Sequence, residues 1–293
     1  MSSDVPTRML GKTGVRVPIV GFGTSAAGNR LRRVDAVRLF EEALHEGITY
    51  FDTAPEFAGY GKAQEYLGYV LRERRKEIFL VTKCFAPHGS DALKSLERSL
   101  KELQTDYADL VFVHSLGDDR MDPRIVFSRS GTYAALMKAK TQGATRFVGF
   151  SGHNRPDRFV QALRHYAVDV LLNAVNPVDR HTYNFERQVW PAAARHGIGL
   201  LAMKIFGGQL EGERTELSHC RMPREYQDLA FRYALSLPQI ACAVIGMATG
   251  QELHQNLARA KDFRPLSSEE EDFLERLGKQ LAGDWGAHLG AVV

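Results

Sequence analysis

Eight continuous apolar runs, separated by amphipathic segments with helical spacing, constrain the fold of this chain more than any other feature of its sequence. Runs that do not alternate with polar residues are typical of parallel strands buried on both faces. The predicted strands are 19–24, 49–54, 78–84, 108–115, 146–152, 170–176, 198–204 and 241–247. The predicted helices are 34–46, 64–75, 91–103, 131–142, 156–166, 185–196, 224–236 and 251–261. Eight strands alternating with eight helices predict an α/β fold, a (β/α)8 TIM barrel, with a doubly wound open sheet as the alternative.

Two further elements frame the predicted barrel. The stretch RMLGKTGVRVP, residues 8–18, predicts an N-terminal β-hairpin that closes the barrel floor. At the other end, LSSEEEDFLERLGKQL, residues 266–281, predicts an extra C-terminal helix that is capped by Ser267 or Ser268. No linker interrupts the alternation of strands and helices, so we expect one barrel domain that spans residues 1–293.

Composition and charge bound the class of protein. A chain of 293 residues with 44% hydrophobic and 25% charged residues is ordinary for a globular protein and can bury a large core. The three cysteines lie far apart, so we expect no disulfide framework and no metal site, and a reducing, cytoplasmic setting. The N-terminus lacks a signal-peptide pattern, and no run approaches the about 20 apolar residues of a membrane span. The net charge is +3, and its densest basic cluster, RERRK at 72–76, is interpreted as a solvated helix end. We therefore expect a small-molecule partner rather than nucleic acid or membrane, and the oligomeric state stays open.

Three successive predicted strands end in a polar residue of a different kind. Asp52, Lys83 and His114 stand at the ends of the second, third and fourth strands. Catalytic groups of a TIM barrel lie at the carboxyl ends of its strands, where neighbouring strands bring their last residues together. Each residue alone has a structural explanation, such as a turn cap or a buried histidine, but three in a row predict an active site.

The chain resembles the aldo-keto reductases in the motifs FDTA (51–54), LVTKC (80–84), DLVFVHS (109–115) and VGFSGHN (148–154). The likeness extends to VIGMATGQELHQNLARA at 244–260. The resemblance implies a barrel that binds NADPH or NADH across its mouth and transfers hydride between nicotinamide and a carbonyl carbon. Members of the family use an Asp, a Tyr, a Lys and a His.

Matched to this family, Asp52, Lys83 and His114 take the places of the catalytic Asp, Lys and His. In the family the Tyr hydroxyl protonates the nascent alkoxide, and the Asp holds the Lys. A free phenol has a pKa near about 10, and a nearby ammonium group is expected to lower it. His114 is expected to donate to the substrate oxygen, as in an oxyanion site.

The chain departs from the family pattern at the position of the catalytic tyrosine. The loop FDTAPEFAGYGKAQEYLG has one residue more than the family pattern between Asp52 and the Leu-Gly pair at 67–68. Counting forward places Phe57 at the tyrosine position, and counting backward places Ala58 there. Three accounts are open: the extra residue brings Tyr60 into the site, another group (His114 itself or a water) donates the proton, or carbonyl reduction has been lost or replaced.

The resemblance also implies a set of contacts to the cofactor. Polar groups after the fifth and sixth strands hold the carboxamide in the family, and a ring after the seventh stacks on nicotinamide; here Met203 stands at that place, or else fills the core. Small residues allow backbone N–H groups to approach a pyrophosphate. The expected cofactor-binding residues are Gly23, Thr24, Asp52, Ser151, Gly152, Asn173, Met203, Lys204, Gly207, Gly246, Gln255 and Asn256.

The choice between the two nicotinamide cofactors is not settled by the resemblance. The family commonly uses NADP, and its NADPH-preferring members carry basic residues where this chain has Gly246 and Glu252. Glu252 is expected to repel a 2′-phosphate, which favours NAD or dual use. The substrate walls are expected in the loop at 116–130, in the segment at 209–223 and around Trp285.

Two other functions compete with an NAD(P)H-dependent oxidoreductase acting on an aldehyde, ketone or sugar. A nicotinamide-binding sensor with little turnover would explain a displaced tyrosine. A Schiff-base lyase would use Lys83 as its nucleophile, although Asp52 beside it would keep the amine protonated.

Overall fold

Eight parallel strands close into a barrel in the computed structural model, which describes residues 4–208 and 220–293. The barrel strands are β3 (Val20–Gly23), β4 (Tyr50–Asp52), β5 (Phe79–Cys84), β6 (Ala108–Val113), β7 (Thr145–Gly152), β8 (Val170–Ala174), β9 (Gly199–Met203) and β10 (Ile240–Gly246). Each strand pairs with the next in sequence, and β10 returns to β3. The predicted TIM barrel is therefore confirmed, and the open-sheet alternative is wrong.

Helices cover the outside of the barrel. They are α1 (Ser25–Arg30), α2 (Arg33–His45), α3 (Ala63–Arg74), α4 (Gly89–Glu102), α5 (Pro123–Val126), α6 (Thr132–Thr141), α7 (Pro156–His165), α8 (Phe185–Gln188), α9 (Trp190–Arg195), α10 (Gln227–Ser236), α11 (Gly250–Lys261) and α12 (Ser268–Trp285). None of those in the described ranges has the length and apolar character needed to span a membrane.

The predicted helix at 185–196 is two short helices, α8 and α9, with a break at Val189. The break has a local cause, because Pro191 has no backbone N–H to bond to a carbonyl one turn earlier. The prediction of one continuous helix at this place is therefore wrong, whereas the other seven predicted helices are present with shifted ends.

A two-stranded hairpin closes the floor of the barrel. Strands β1 (Thr7–Met9) and β2 (Arg16–Pro18) pair in antiparallel fashion, as predicted. Leu10 and Val17 are fully buried and belong to the apolar cluster that fills the barrel interior. Gly11 adopts a φ of +50° against the backbone of Gly199, where a Cβ would lie 2.3 Å from the Gly199 nitrogen. The hairpin therefore blocks this end of the barrel and leaves the opposite end as the entrance.

The C-terminal helix is longer than predicted and leads into a tail that packs on the barrel. Ser267 caps α12 through a capping box with Glu270, which settles the choice between the two predicted caps. Beyond α12, the Tyr183 hydroxyl accepts a hydrogen bond from the Leu289 nitrogen at 2.8 Å and donates one to the Gly290 carbonyl at 3.0 Å. These bonds fix the tail on the side of the barrel that carries β8.

Residue parity explains which side chains reach the interior. Side chains alternate between the two faces of a strand, so residues two positions apart share a face. Tyr50, Val81 and Phe112 all lie in the interior cluster. Asp52, Lys83 and His114 each follow one of these by two positions, so the sequence directs all three into the barrel mouth.

Candidate active site

Asp52, Lys83 and His114 come together because β4, β5 and β6 are neighbours in the barrel. Asp52 pairs in register with Val81, and Lys83 pairs with Phe112. All three polar side chains are buried, at 2%, 1% and 7% exposure respectively. Burial of an acid, an amine and an imidazole at one point requires that each of them finds a hydrogen-bond partner.

The ammonium group of Lys83 uses all three of its donors. It donates to Asp52 Oδ1 in a short buried ion pair, to the Thr53 carbonyl at 3.0 Å and to the Tyr60 hydroxyl at 3.0 Å. A lysine carries three N–H groups and no acceptor. The geometry is therefore that of a charged, fully bonded lysine.

Tyr60 lies in the site although it falls outside the usual sequence position. The loop turns through a 3-10 segment at Glu56–Ala58, and Gly59 and Gly61 adopt φ values of +85° and +52°. Such positive values are easy for glycine and strained for other residues. The turn leaves the Phe57 ring 56% exposed and directs the Tyr60 hydroxyl to Asp52 Oδ1, at 3.2 Å. Of the three accounts of the loop, the structure supports the one in which the extra residue brings Tyr60 in.

The phenol of Tyr60 is held in its protonated form. Burial, the charge of Asp52 and the hydrogen bond to Asp52 raise the pKa of Tyr60 well above its ordinary value. The lowering of this pKa that was expected from Lys83 is outweighed, first by burial of the phenol and then by the charge of Asp52. Burial lowers the pKa of Lys83, and Asp52 opposes that shift.

His114 presents a neutral imidazole to the mouth. Its pKa is well below the ordinary value, first because of burial and then because of the charge of Lys83. The Nδ1 atom lies 2.8 Å from the Ser151 hydroxyl, which places the ring proton on Nε2 when Ser151 donates. Phe85 and His153 contact the ring edge to face, each with centroids 5.9 Å away. The imidazole is thus fixed with one nitrogen left for a ligand.

Gly23, Thr24 and Gly246 support the site from the first and last barrel strands. Thr24 donates to the Asp52 carbonyl from its backbone nitrogen at 2.9 Å and from its hydroxyl at 3.0 Å. Gly23 pairs with Gly246, and a Cβ at Gly23 would lie 3.1 Å from the Gly246 nitrogen. These residues fix the backbone of Asp52 and allow the close approach of β3 and β10.

Two of the expected cofactor contacts point away from the mouth. A Cβ at Gly152 would lie 2.8 Å from the ring of Phe159 in the helix layer. Asn173 is paired in register with Gly152, and its Oδ1 lies 3.4 Å from the indole nitrogen of Trp190 in α9. Both positions therefore face the layer between barrel and helices, and the structure does not bring them to the other predicted contacts.

The end of β9 carries a second lysine toward the site. Met203 is buried in the interior cluster, and Lys204 follows it with a φ of +56°. Burial and the charge of Lys83 lower the pKa of Lys204. Gly207, with a φ of +77°, leaves room for Trp285, whose ring a Cβ there would meet at 2.3 Å. Part of the predicted substrate wall, residues 209–219, lies outside the described residues.

A cavity of about 460 Å³ lies beyond the end of β9, between α1, α10 and α11. None of the four predicted catalytic residues lines it, whereas the predicted contacts Gln255 and Asn256 do. Three arginines that the sequence analysis did not assign also line it: Arg30, Arg224 and Arg259. Helical spacing was the available clue for Arg259, because it stands three residues after Asn256 on the same face of α11.

The donor set fits a dinucleotide that extends across the mouth. Met203 lies inside the barrel, and Phe206, three residues further on, lines the cavity, so one chain segment joins the two places. Lysine and arginine groups along this path suit the phosphates of a nicotinamide cofactor. In contrast, no group of three or more His, Cys, Asp or Glu within residues 4–208 and 220–293 is arranged to hold a metal ion.

Comparisons with known proteins agree with this geometry. The model of the Aldo/keto reductase family matches residues 19–224. L-galactose dehydrogenase of Arabidopsis thaliana is 28% identical, over 93% of this chain and 93% of the relative. An aldo-keto reductase of Bacillus halodurans in its holo form superposes with a TM-score of 0.76 at 23% identity, covering 95% of this chain and 97% of that chain. An aldo/keto reductase of Klebsiella pneumoniae, solved in complex with NADP and acetate, gives a TM-score of 0.72 at 25% identity, covering 91% and 93%.

The family model covers more than half of the chain and includes the strands that carry Asp52, Lys83 and His114. The chain therefore belongs to the aldo/keto reductase family, a family of oxidoreductases that use a nicotinamide cofactor.

Proposed function

We propose that this protein reduces the carbonyl group of an aldehyde, ketone or sugar to an alcohol with NAD(P)H, and catalyses the reverse reaction. The observation that carries the proposal is the position of the Tyr60 hydroxyl, 3.0 Å from Lys83 Nζ and 3.2 Å from Asp52 Oδ1. A reduced nicotinamide, when bound, supplies the hydride. The residues of this chain supply the proton and orient the substrate.

Tyr60 is the proposed proton donor. Its O–H group points to Asp52 and turns to the carbonyl oxygen when substrate is present. As the carbonyl carbon gains the hydride, its oxygen takes the proton from Tyr60, which becomes a phenolate. Lys83 already donates a hydrogen bond to the Tyr60 oxygen and stabilises the developing negative charge. Asp52 keeps Lys83 charged for this role.

His114 is proposed to hold the substrate oxygen. Because Ser151 occupies Nδ1, the remaining nitrogen can donate a neutral hydrogen bond to the carbonyl. A donor that is fixed before substrate arrives needs no reorganisation when charge develops on the oxygen. Its contacts with Phe85 and His153 keep the ring in this orientation.

The bonding of Lys83 argues against its use as a nucleophile. A Schiff base requires a free amine lone pair. The nitrogen of Lys83 instead makes three hydrogen bonds as a donor, two of them to Asp52 and the Thr53 carbonyl. The sensor alternative was based on the absence of a tyrosine at the usual family position, and Tyr60 places a phenol beside Lys83.

The substrate class is proposed from the relatives and the loops. A relative named L-galactose dehydrogenase supports the inclusion of polyhydroxy aldehydes. Phe85 offers an apolar wall beside His114, and Arg120 covers that ring at 4.3 Å while it pairs with Asp118. This arrangement leaves a mixed apolar and polar surface at the mouth, which suits a small carbonyl compound that also carries hydroxyl groups.

Turnover of NADH and NADPH, followed at the absorbance of reduced nicotinamide, tests the proposal. The substrate panel contains reactive aldehydes, ketones and aldoses, with sugar alcohols and NAD⁺ or NADP⁺ for the reverse direction. We expect saturable turnover with at least one carbonyl compound. Binding of both cofactors without turnover of any member of the panel in either direction would overturn the proposal.

A further inference from the structure

His153 contacts the imidazole of His114 from the side of the barrel that carries β7. The two ring centroids are 5.9 Å apart, and the ring planes make an angle of 87°. Phe85 contacts His114 from the side of β5, also with the centroids 5.9 Å apart. Because β6 lies between β5 and β7, His114 has an apolar ring on one side and a polar ring on the other.

Strand β7 determines the position of His153. Ser151 near its end is buried, and its hydroxyl lies 2.8 Å from Nδ1 of His114, so Ser151 faces the mouth. Gly152 faces the helix layer, where a Cβ would lie 2.8 Å from the ring of Phe159. Residues two positions apart share a face of a strand. His153 is therefore directed to the same side as Ser151, and both contact His114.

The ring nitrogens of His153 are left unused by the fold. They make no hydrogen bond and no ion pair with any residue in 4–208 and 220–293. The residue is half-buried, whereas His114 is 7% exposed. Since His153 is accessible at the mouth and beside the group proposed to hold the substrate oxygen, its ring can bond to a second substrate atom.

The imidazole of His153 is neutral. Burial, followed by the charges of Lys204 and Lys83, lowers the pKa of His153 to about 3. A neutral imidazole has one N–H donor and one nitrogen acceptor. A hydroxyl group also donates and accepts one hydrogen bond, so it matches this ring better than an anion does.

The spacing of the two imidazoles fits two oxygens on adjacent carbon atoms. A carbonyl oxygen and a hydroxyl oxygen on the next carbon are about 3 Å apart, as ordinary bond lengths dictate. A hydrogen bond adds about 2.7–3.2 Å between the heavy atoms at each end. Two rings with centroids 5.9 Å apart can therefore each bond to one of these oxygens.

We propose that His153 is a substrate-binding residue that bonds to a hydroxyl group on the carbon next to the reacting carbonyl, while His114 bonds to the carbonyl oxygen. This inference rests on the proposed function, since it assigns a specificity-determining residue of the same site. His153 then favours 2-hydroxy aldehydes and ketones over their 3-hydroxy isomers.

Steady-state reduction of 2-hydroxypropanal and 3-hydroxypropanal tests the inference. The two compounds are isomers, so the ratio of their kcat/KM values reports the position of the hydroxyl group. His153→Phe keeps an aromatic ring beside His114 and removes both nitrogens. We expect this variant to lower the ratio by about 3- to 10-fold, the value of one hydrogen bond. A displaced His114 would lower both kcat/KM values by the same factor and would leave the ratio unchanged.

Two further variants make the test independent of ring shape. His153→Leu removes the nitrogens in a different shape and should lower the ratio by a similar factor. His165→Phe makes the same exchange as His153→Phe at an exposed histidine of α7 and should keep the ratio of the wild type. A ratio that neither variant of His153 changes, or an equal change in His165→Phe, would overturn the inference.

The two proposals fail separately. Turnover of both isomers with a ratio that does not depend on His153 would remove only the role of this residue. Turnover of other carbonyl compounds without turnover of 2-hydroxypropanal would do the same. Absence of turnover across the whole carbonyl panel would remove the reductase function, and the inference with it.

Discussion

The hydroxyl oxygen of Tyr60 lies 3.0 Å from the side-chain nitrogen of Lys83, 23 positions further along the chain. The contact joins a loop after β4 to the end of β5. Tyr60 is displaced from the usual sequence position, and this contact makes it part of a hydrogen-bonded triad with Lys83 and Asp52. The first four of the six predictions that follow start from contacts in or beside this triad.

Tyr60→Phe should lower kcat for carbonyl reduction by about 10²- to 10⁴-fold, because it removes a general acid while hydride transfer remains possible. Affinity for the cofactor should change little. Steady-state kinetics and cofactor titration measure the two effects. Tyr69→Phe makes the same chemical change at an exposed tyrosine of α3 and should leave kcat unchanged.

The position of the phenol can be tested with a double variant. Phe57→Tyr added to Tyr60→Phe restores a tyrosine at the forward-counted family position. Because the ring at residue 57 is exposed, we expect no recovery of kcat. Recovery to wild-type turnover would show that the loop adopts a different arrangement in solution.

Lys83→Met should abolish turnover and reduce stability by about 3–5 kcal/mol, because it leaves the buried carboxylate of Asp52 without its partner. Adding Asp52→Asn removes that charge and should recover much of the stability but none of the turnover. Urea denaturation and single-turnover kinetics separate these effects. Lys94→Met, at an exposed residue of α4, serves as control. Wild-type turnover in Lys83→Met would remove this lysine from the mechanism.

The pH profile of carbonyl reduction should be flat through the neutral range. The pKa of Tyr60 is raised well above its ordinary value, and a donor stays active until the pH exceeds its pKa. Loss of the Tyr60 proton should therefore lower the rate only above about pH 10. The pKa of His114 is well below its ordinary value, so His114 adds no inflection near neutrality. A profile of kcat/KM in which Tyr60→Phe keeps the same alkaline limb would assign that limb to another group.

Gly152→Ala should lower stability by about 1–3 kcal/mol, because the added methyl group would lie 2.8 Å from the Phe159 ring. Gly283→Ala makes the same change in α12, where nothing lies within 4 Å of the new Cβ, and should stabilise the protein. Thermal denaturation compares them. If Gly152→Ala instead weakened cofactor binding at unchanged Tm, the glycine would serve the cofactor rather than the packing.

Glu270→Gln should change the acid stability of the protein. Arg232 bonds both carboxylate oxygens of Glu270, at 2.6 Å and 2.5 Å, and this contact, with the bond from the Ser267 nitrogen, lowers the pKa of Glu270 from 4.5 to about 2. The stabilisation is complete above the unfolded pKa and disappears as the pH falls toward 2.

Free energies of unfolding for wild type and Glu270→Gln should therefore differ above about pH 4.5 and converge near pH 2. Glu269→Gln, on the preceding exposed residue, should follow the wild type at every pH. A constant difference between wild type and Glu270→Gln across the whole range would show that the effect does not depend on ionisation.

The barrel and three of its polar residues could be predicted because their cause is local. Continuous apolar runs specify buried strands, and parity then fixes the faces of Asp52, Lys83 and His114. Tyr60 could only be offered as one of three accounts, because its place depends on the positive φ angles of Gly59 and Gly61. Backbone direction in a loop is not contained in residue spacing.

The cavity arginines were missed for a different reason. Arg30, Arg224 and Arg259 are distant in sequence and meet only when the barrel closes. Glu252 was expected to repel a 2′-phosphate, but its Oε2 accepts hydrogen bonds from the backbone of Ala248 and Thr249 in a capping box, which the T-x-x-E spacing at 249–252 could have indicated. Sequence position therefore indicated only the charge of Glu252, whereas the fold determines which other charged residues lie beside it.

The proposed catalytic residues and the cavity lined by three arginines lie in different sectors of the barrel. The residues proposed for proton transfer lie on β4 to β6 and in the loop after β4, whereas the cavity is built from elements that follow β3, β9 and β10. The lining of the cavity can therefore be redesigned in the laboratory by changing Arg224 or Arg259, which lie on elements other than the strands that carry Asp52, Lys83 and His114.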